Sequence, residues 1–299
     1  MNTFEIGVIL PGVAVQRRDG IDLREAARHA EAAGLDGVWH GDHLAIGGPT
    51  LDAPIALATA AAVTTRVRIG TSVLVPGIRP VAWAAKQVAT LQHVSGDRLV
   101  LGVGSGGGPG QWAAAGVPYA ERGPRTDTAL ELLPRLLSGQ KTELHDEPGN
   151  PPVELAPPAT TPPIWVGNAS GVAIRRAARL GDGWFPSLIS PRQVAEGAEL
   201  LAALAAEHGR PAPVIAIGAT GALAGGPSRE EIASGISSAY GRPLGEVIDI
   251  PLAGHPEEAA ERLAAYREAG ARHAIVGVAG DDWRAEVDRL AEVRGLVNR

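Results

Sequence analysis

Short apolar stretches typical of buried strands alternate with amphipathic stretches typical of helices along the whole chain. Eight such strand–helix pairs in 299 residues predict an α/β fold and favour a single closed (β/α)8 TIM barrel, which takes about 250 residues. An open doubly wound sheet with an added lobe is the alternative. The predicted strands are residues 5–10, 37–40, 68–75, 99–103, 164–166, 183–185, 214–220 and 273–278.

The barrel is predicted to form one domain over residues 1–299, with long inserted loops at its C-terminal face. Three connections, 104–123, 138–163 and 222–254, are too long to be simple turns. Connections of this length in a compact domain are usually functional or disordered. Because barrel enzymes bind their ligands at the carboxyl ends of the strands, we expect function at that face.

Residues 66–110 form one complete strand–helix–strand unit, RVRIGTSVLVPGIRPVAWAAKQVATLQHVSGDRLVLGVGSGGGPG. Its second strand ends in a run of glycines, and glycines allow a ligand to approach the backbone closely. Gly102, Gly104 and Gly107 fit the dinucleotide pattern G-x-G-x-x-G. However, Pro109 and Gly110 follow, so no helix is predicted directly after the glycines, and the dinucleotide interpretation is rejected.

Composition narrows the possible partners. The net charge is −6, whereas a nucleic-acid-binding surface usually shows as a basic stripe, so no nucleic acid is expected. The absence of cysteine excludes disulfides and thiolate catalysis, and the scattered histidines predict no metal site. No run approaches the roughly 18 apolar residues of a membrane span. The opening residues MNTFEIGVILPG show no targeting pattern, so a cytoplasmic location is expected.

Asp42 and His43 stand at the end of the second predicted strand, in the segment VWHGDHL. A histidine at such a position can hydrogen-bond or move a proton near neutral pH, so both residues are candidate catalytic residues. Alternatively, Asp42 caps the following turn and His43 only packs. These residues alone leave both interpretations open.

A second candidate site follows the fifth predicted strand, in PPIWVGNASGVAIRRAARLGDGW. After Gly167, the small or polar residues Asn168, Ala169, Ser170 and Gly171 lead into a predicted helix. A helix N-terminus offers free N–H groups and the positive end of the helix dipole, which favour anions. The motif therefore predicts an anion site, although many similar turns bind nothing.

Five segments, in this order, resemble the bacterial luciferase-like superfamily of (β/α)8 flavin and deazaflavin enzymes. They are AEAAGLDGVWHGDHL, TTRVRIGTSVLV, AAKQVATLQHVSGDRLVLGVGSG, PPIWVGNASGVAIRRAARLGDGWF and GHPEEAAERLAAYREAGARHAIVGV. The resemblance covers nearly the whole chain. Asp42–His43 together with Ser72–Val73 is most similar to the branch that uses coenzyme F420, a deazaflavin that carries hydride.

The resemblance implies where the cofactor binds. It implies a non-proline cis peptide at Ser72–Val73 against the central face of the ring, and His43 beside the ring as proton donor or substrate hydrogen-bond partner. Gly104 and Ser105 would flank the cofactor. The phosphate would be held by Gly167, Asn168, Ala169, Ser170, Gly171 and Val172. F420 carries an acidic tail beyond its phosphate, and one of three arginines is expected to line its exit: Arg175, Arg176 or Arg179.

The resemblance also implies the activity, an F420-dependent oxidoreductase that transfers hydride to or from a small organic substrate, and a homodimer. The main alternative is a luciferase-like monooxygenase that uses FMN or reduced flavin. A non-enzymatic flavin-binding relative and a phosphosugar isomerase or aldolase barrel are further alternatives. Sugar-phosphate dehydrogenases of the F420 branch place a glutamate after the glycines of the fourth strand, where this chain has Ser105 and Gly106. Activity on glucose-6-phosphate is therefore not expected.

Overall fold

Eight parallel strands close into a barrel in the computed structural model, which describes residues 3–45, 48–145 and 147–299. They are β1 (Glu5–Ile9), β2 (Gly37–His40), β3 (Arg68–Thr71), β4 (Leu99–Val103), β7 (Ile164–Gly167), β8 (Gly183–Phe185), β9 (Val214–Ala222) and β11 (His273–Val278). Neighbours pair in chain order, and the ring closes because β11 pairs with β1 while β8 pairs with β9. The predicted (β/α)8 barrel is confirmed, and the open-sheet alternative is wrong.

Helices surround the barrel. They are α1 (Val13–Asp19), α2 (Leu23–Ala32), α3 (Ala53–Ala61), α4 (Val81–Ser95), α5 (Pro109–Ala114), α6 (Arg122–Leu137), α7 (Gly171–Leu180), α8 (Pro191–Glu207), α9 (Arg229–Tyr240), α10 (Leu244–Val247), α11 (Pro256–Glu268) and α12 (Trp283–Val297). The predicted capping boxes form at Asp22 with Glu25 and at Ser190 with Gln193, and each satisfies N–H groups that a helix start leaves free. Within the described residues, no helix has the length and apolarity needed to cross a bilayer.

The barrel interior is filled by aromatic rings that occupy space left by glycines. Trp39 and Trp165 stack with ring centroids 5.3 Å apart, and Phe185 meets Trp165 edge-on at 5.9 Å. A Cβ built on Gly70 would lie 2.1 Å from the Trp39 ring, and one built on Gly183 would lie 2.4 Å from Trp165. The indoles therefore fit only because the neighbouring strands carry glycine at these positions.

The third strand is shorter than predicted. It ends at Thr71 instead of Val75, although Leu74 still bridges to Val103 in the parallel direction. The Leu74 N–H still donates to the Gly102 carbonyl at 2.8 Å, whereas the Val75 N–H donates to the Asp42 carboxylate at 2.9 Å. The expectation of a continuous strand to Val75 is therefore wrong.

A helix does follow the glycine run after β4. The six-residue helix α5 begins at Pro109, where a proline in the first turn loses no hydrogen bond. Trp112 of this helix is fully buried with Val75 and Ile78. The prediction that no helix follows directly is wrong, because this tertiary anchor stabilises a helix too short to persist alone.

The long connections divide between the two ends of the barrel. Residues 104–123 follow β4 and residues 223–254 follow β9, so both open at the C-terminal face as predicted. The second of these carries α9, α10 and the short strand β10 (Leu252–Ala253), which extends the edge of β9. The connection 138–163 instead leads from α6 into β7, at the opposite end, and holds the hairpin of β5 (Thr142–Glu143) and β6 (Pro152–Val153).

The glycine–indole packing predicts a large effect from one added methyl group. Gly70→Ala would place a Cβ 2.1 Å from the Trp39 ring, closer than non-bonded atoms can approach. It should lower the free energy of unfolding by about 1–3 kcal/mol, the usual cost of overpacking. Gly235→Ala is the control, since nothing lies within 4 Å of its added Cβ in α9, and it should stabilise by about 0.5–1 kcal/mol. Urea denaturation measures both. Equal stability of the two variants would contradict this account of the core.

Candidate active site at the carboxyl ends of the strands

His43 and Ser72 meet across Gly41, just beyond the ends of β2 and β3. A Cβ built on Gly41 would lie 3.3 Å from His43 Nε2 and 3.5 Å from the Ser72 carbonyl oxygen. The His43 side chain is exposed at this face, and its imidazole forms no hydrogen bond or ion pair with the described residues. The Ser72 hydroxyl is buried and has no partner in the same part of the chain. Two polar groups therefore remain free at the mouth of the barrel.

Val73 fills the space over three glycines of the neighbouring strands. The Ser72–Val73 peptide bond is cis, as the family resemblance implies. A Cβ on Gly104 would lie 2.5 Å from Val73 Cγ2, and a Cβ on Gly167 would lie 3.0 Å from Val73 Cγ1. A Cβ on Gly102 would lie 2.1 Å from the Thr71 carbonyl oxygen. The structure thus brings together the predicted residues at the ends of β3, β4 and β7.

Asp42 forms a buried ion pair with Arg79. Its carboxylate accepts hydrogen bonds from Arg79 Nη2 at 2.8 and 2.9 Å and from the Val75 N–H at 2.9 Å. The Asp42 side chain is 4% exposed and that of Arg79 is 18% exposed. Because these contacts tie the end of β2 to the loop after β3, they suit Asp42 to positioning His43 and the Ser72–Val73 peptide.

The turn from β7 into α7 presents donors to solvent. Asn168 adopts a φ of 90°, and its carbonyl accepts from Trp184 Nε1 at 2.9 Å. Asn168 Oδ1 accepts from the Ser170 N–H, and Ser170 Oγ accepts from the Ala173 N–H. The N–H groups of the first helical residues, Gly171 and Val172, have no partner within the helix. These N–H groups and the dipole of the ten-residue helix are features that favour anions, and binding of an anion here stays a prediction.

Three arginines follow on α7, and they have different partners. Arg176 is buried and bonds Asp127 of α6 at 2.8 and 3.2 Å. Arg179 lies 3.5 Å from Asp127 and 3.3 Å from Glu131. Arg175 is exposed, forms no ion pair with the described residues, and places Nη1 3.5 Å from a Cβ built on Gly171. Only Arg175 among the three therefore stands free beside the anion site.

Sequence reasoning missed several residues around the site. Arg79 lies within the strand–helix–strand unit already noted, but its partner Asp42 is 37 residues away and no local pattern marks the pair. His40 is buried behind the site, and burial lowers the pKa of its imidazole, whose Nδ1 lies 2.8 Å from the Gly41 carbonyl oxygen. Gln111 of α5 also contacts the loop that carries His43. Of Ser105, the structure shows only a half-buried position after β4.

Apolar and polar groups lie next to each other at the ends of the strands. Val73 packs over Gly104 and Gly167, and the Ser72 hydroxyl of the preceding residue has no partner in the described part of the chain. β7 ends at Gly167, which packs against Val73, and α7 begins four residues later at Gly171. Among the described residues, no group of three or more histidine, aspartate or glutamate side chains could hold a metal ion.

The family model described as luciferase-like monooxygenase matches residues 5–244. The chain belongs to this family. The match includes β1 to β9 and every candidate site residue.

The curated relatives include both a monooxygenase and an F420-dependent dehydrogenase. The chain is 33% identical over 218 residues to 4-hydroxyprotoasukamycin monooxygenase of Streptomyces nodosus subsp. asukaensis, covering 67% of this chain and 56% of that one. It is also 33% identical over 186 residues to F420-dependent glucose-6-phosphate dehydrogenase of Amycolatopsis mediterranei (strain U-32), covering 54% and 52%. The chain spans about half the length of the curated relatives it matches.

A solved structure supports the fold over the whole chain. An F420-dependent secondary alcohol dehydrogenase in complex with an F420–acetone adduct superposes with a TM-score of 0.81 and 17% sequence identity, covering 99% of this chain and 100% of that one. At this identity the likeness shows the shared barrel and no more. The family match and the curated relatives therefore place the chain among luciferase-like proteins, and the structural likeness adds the shared barrel.

Proposed function

We propose that this protein is an F420-dependent oxidoreductase that exchanges hydride with a small organic substrate. Coenzyme F420 supplies a planar deazaflavin ring whose carbon at position five restricts it to hydride chemistry. In our proposal the ring lies against Val73, with Gly104 and Ser105 at its edge and Ser72 beside it. The phosphate lies at the α7 N-terminus, on the turn from Gly167 to Val172, where the first N–H groups are free.

The observation that carries the choice of F420 is the free guanidinium of Arg175. FMN ends at its phosphate, whereas F420 continues with lactate and glutamates that are negatively charged. Arg175 stands beside Gly171 with no acidic partner among the described residues, while Arg176 and Arg179 are held by α6. A free cation next to the phosphate position suits a ligand whose charge extends past that phosphate.

His43 is proposed to act beside the ring as proton donor or substrate hydrogen-bond partner. Its imidazole is exposed, has no competing partner in the described chain, and lies across Gly41 from Ser72. Asp42 is proposed to act through position, because both its oxygens are already occupied by Arg79 and the Val75 N–H. In this proposal His43 carries out the proton chemistry, and Asp42 holds His43 in position.

The second candidate is a luciferase-like monooxygenase that uses FMN or reduced flavin. The family description and the 33% identical Streptomyces monooxygenase favour it. FMN has the same tricyclic ring and ribityl phosphate, so the surface over Val73 and the α7 turn suit it as well. The two candidates differ in the role they give Arg175 and in whether oxygen is a substrate.

The substrate is proposed to differ from that of the sugar-phosphate relatives. The glutamate expected after the β4 glycines in those enzymes is replaced by Ser105, followed by three consecutive glycines. Without that carboxylate we expect no turnover of glucose-6-phosphate. The substrate remains a small organic molecule that F420 can oxidise or reduce.

We also propose a homodimer. Ile55 and Trp83 occupy the third positions of the neighbouring helices α3 and α4, and they are 70% and 67% exposed. Large apolar side chains exposed on adjacent helices are typical of surfaces that bind another protein. This face lies on the outside of the barrel, so pairing through it leaves the mouth open to cofactor and substrate.

Cofactor titrations test the proposed function. We expect F420 to bind with a Kd in the micromolar range or below at low salt, and FMN to bind roughly tenfold more weakly, a gap of about 1.4 kcal/mol. Arg175→Ala should weaken F420 binding more than FMN binding and so remove most of this gap, while Arg192→Ala, whose side chain on α8 is 88% exposed, serves as the control. Tighter binding of FMN, or oxygen consumption that depends on reduced FMN, would make the monooxygenase the correct function.

The role of His43 is tested by turnover. His43→Ala should lower kcat by about 10²–10⁴-fold, the usual contribution of a positioned acid or base, with little change in cofactor Kd. His208→Ala, which removes an exposed imidazole at the end of α8, should match the wild type. If His43→Ala keeps kcat within a few-fold of wild type on a verified substrate, His43 has no catalytic role.

Multi-angle light scattering tests the dimer. The wild type should have twice the 30.7 kDa chain mass, and Trp83→Glu should shift it towards the monomer because a charge replaces the apolar contact. Tyr240→Glu is the control, since Tyr240 is 66% exposed on the distant helix α9. A monomeric wild type at micromolar concentration contradicts the proposal.

A further inference from the structure

His43 lies between two residues that are each fixed by a different loop. On its N-terminal side, Asp42 is held by Arg79 and the Val75 N–H, both from the loop after β3. On its C-terminal side, the Leu44 N–H donates to Gln111 Oε1 at 2.9 Å. The Leu44 side chain itself is 51% exposed, so it adds little packing. The hydrogen bond that the Leu44 N–H donates to Gln111 therefore restrains the C-terminal side of the His43 peptide unit.

Gln111 is well placed to hold this position. Its Nε2 donates to the Gly107 carbonyl at 3.1 Å, so a single amide side chain links the loop after β2 to the glycine run after β4. The next residue, Trp112, is fully buried and packs with Val75 and Ile78 of the loop after β3. The Trp112 anchor fixes α5, and with it the base of the Gln111 side chain. Three consecutive loops at the barrel mouth thus share one set of contacts around His43.

We propose that Gln111 is a positioning residue of this active site, which fixes the His43–Leu44 peptide and so sets where the imidazole stands. The proposal rests on the proposed function, because it assumes that His43 acts on the ligand in the barrel mouth. Small displacements of a reacting group are costly: about 1 Å of misplacement can lower a rate by 10²-fold. A side chain that never touches the substrate can therefore control turnover.

Two substitutions separate the two hydrogen bonds of Gln111. Gln111→Met keeps the length of the side chain and loses both bonds. Gln111→Glu keeps an acceptor for the Leu44 N–H but loses the donor to Gly107. Gln140→Met, at an exposed glutamine after α6 with no side-chain hydrogen bond to the described residues, is the matched control. If the hydrogen bond from the Leu44 N–H holds His43 in position, Gln111→Glu should match the wild type in exchange and turnover, and Gln111→Met should not.

Hydrogen exchange of residues 38–45, followed by mass spectrometry without added cofactor, gives the first measurement. We expect at least tenfold faster exchange of one amide in Gln111→Met, with Gln111→Glu and Gln140→Met unchanged. We also expect Gln111→Met to lower kcat roughly tenfold, from the scale of misplacement effects, with cofactor Kd unchanged. Wild-type exchange in Gln111→Met, or equal effects of the methionine and glutamate variants, would overturn the proposal.

The two measurements distinguish this proposal from the proposed function. Exchange at residues 38–45 depends only on the protein, so it reports on the Gln111–Leu44 bond even if neither F420 nor FMN binds. If neither cofactor binds but exchange is faster in Gln111→Met and unchanged in Gln111→Glu, the proposed function is rejected and the restraint by Gln111 is kept. Normal cofactor binding with kcat unchanged in Gln111→Met would reject the positioning role and keep the function.

Discussion

The buried pair of Asp42 and Arg79 is the contact on which the barrel mouth depends. Both side chains are largely removed from solvent, and the Asp42 carboxylate also accepts the Val75 N–H that β3 no longer uses. Removing one partner of such a pair leaves an uncompensated buried charge, which typically costs 3–5 kcal/mol. The pair therefore ties the end of β2 to the loop after β3. His43 follows Asp42 in the sequence, so the Asp42–Arg79 ion pair also restrains the backbone of His43.

Glycines then determine what shape the mouth has. Gly104 and Gly167 allow the Val73 side chain to lie directly on the ends of β4 and β7, where any larger residue would collide with it. Deeper in the barrel, Gly70 and Gly183 make the same kind of space for indole rings. The wide rings close the interior below, and Val73 provides an apolar floor above. Val73 thus packs between the glycine-bearing strand ends and the aromatic cluster of the barrel interior.

The start of α7 shows how one helix combines stability and binding. Arg176 points into the α6–α7 interface and pairs with Asp127, which holds the helix against the barrel. Arg175, the preceding residue, lies on the exposed side beside Gly171 and keeps its charge available. Residues adjacent in a helix point about 100° apart, so two neighbouring arginines reach different surroundings. The predicted anion site thus has beside it a cation with no ion pair in the described part of the chain, while the neighbouring arginine packs the helix against α6.

The sequence by itself determined the architecture, because strand and helix periodicity, capping residues and glycines act locally. The alternation of elements predicted the barrel, Asp22 and Ser190 predicted their helix starts, and Gly171 predicted the open end of α7. Only the tertiary structure decided which side chains hold the residues on either side of His43. Arg79 lies 37 residues from Asp42, and Gln111 lies 67 residues from Leu44, so no spacing along the chain relates them. The same holds for α5 and for the end of β3, since Trp112 and the Val75 N–H gain their partners only when three separate loops meet at one face of the closed barrel.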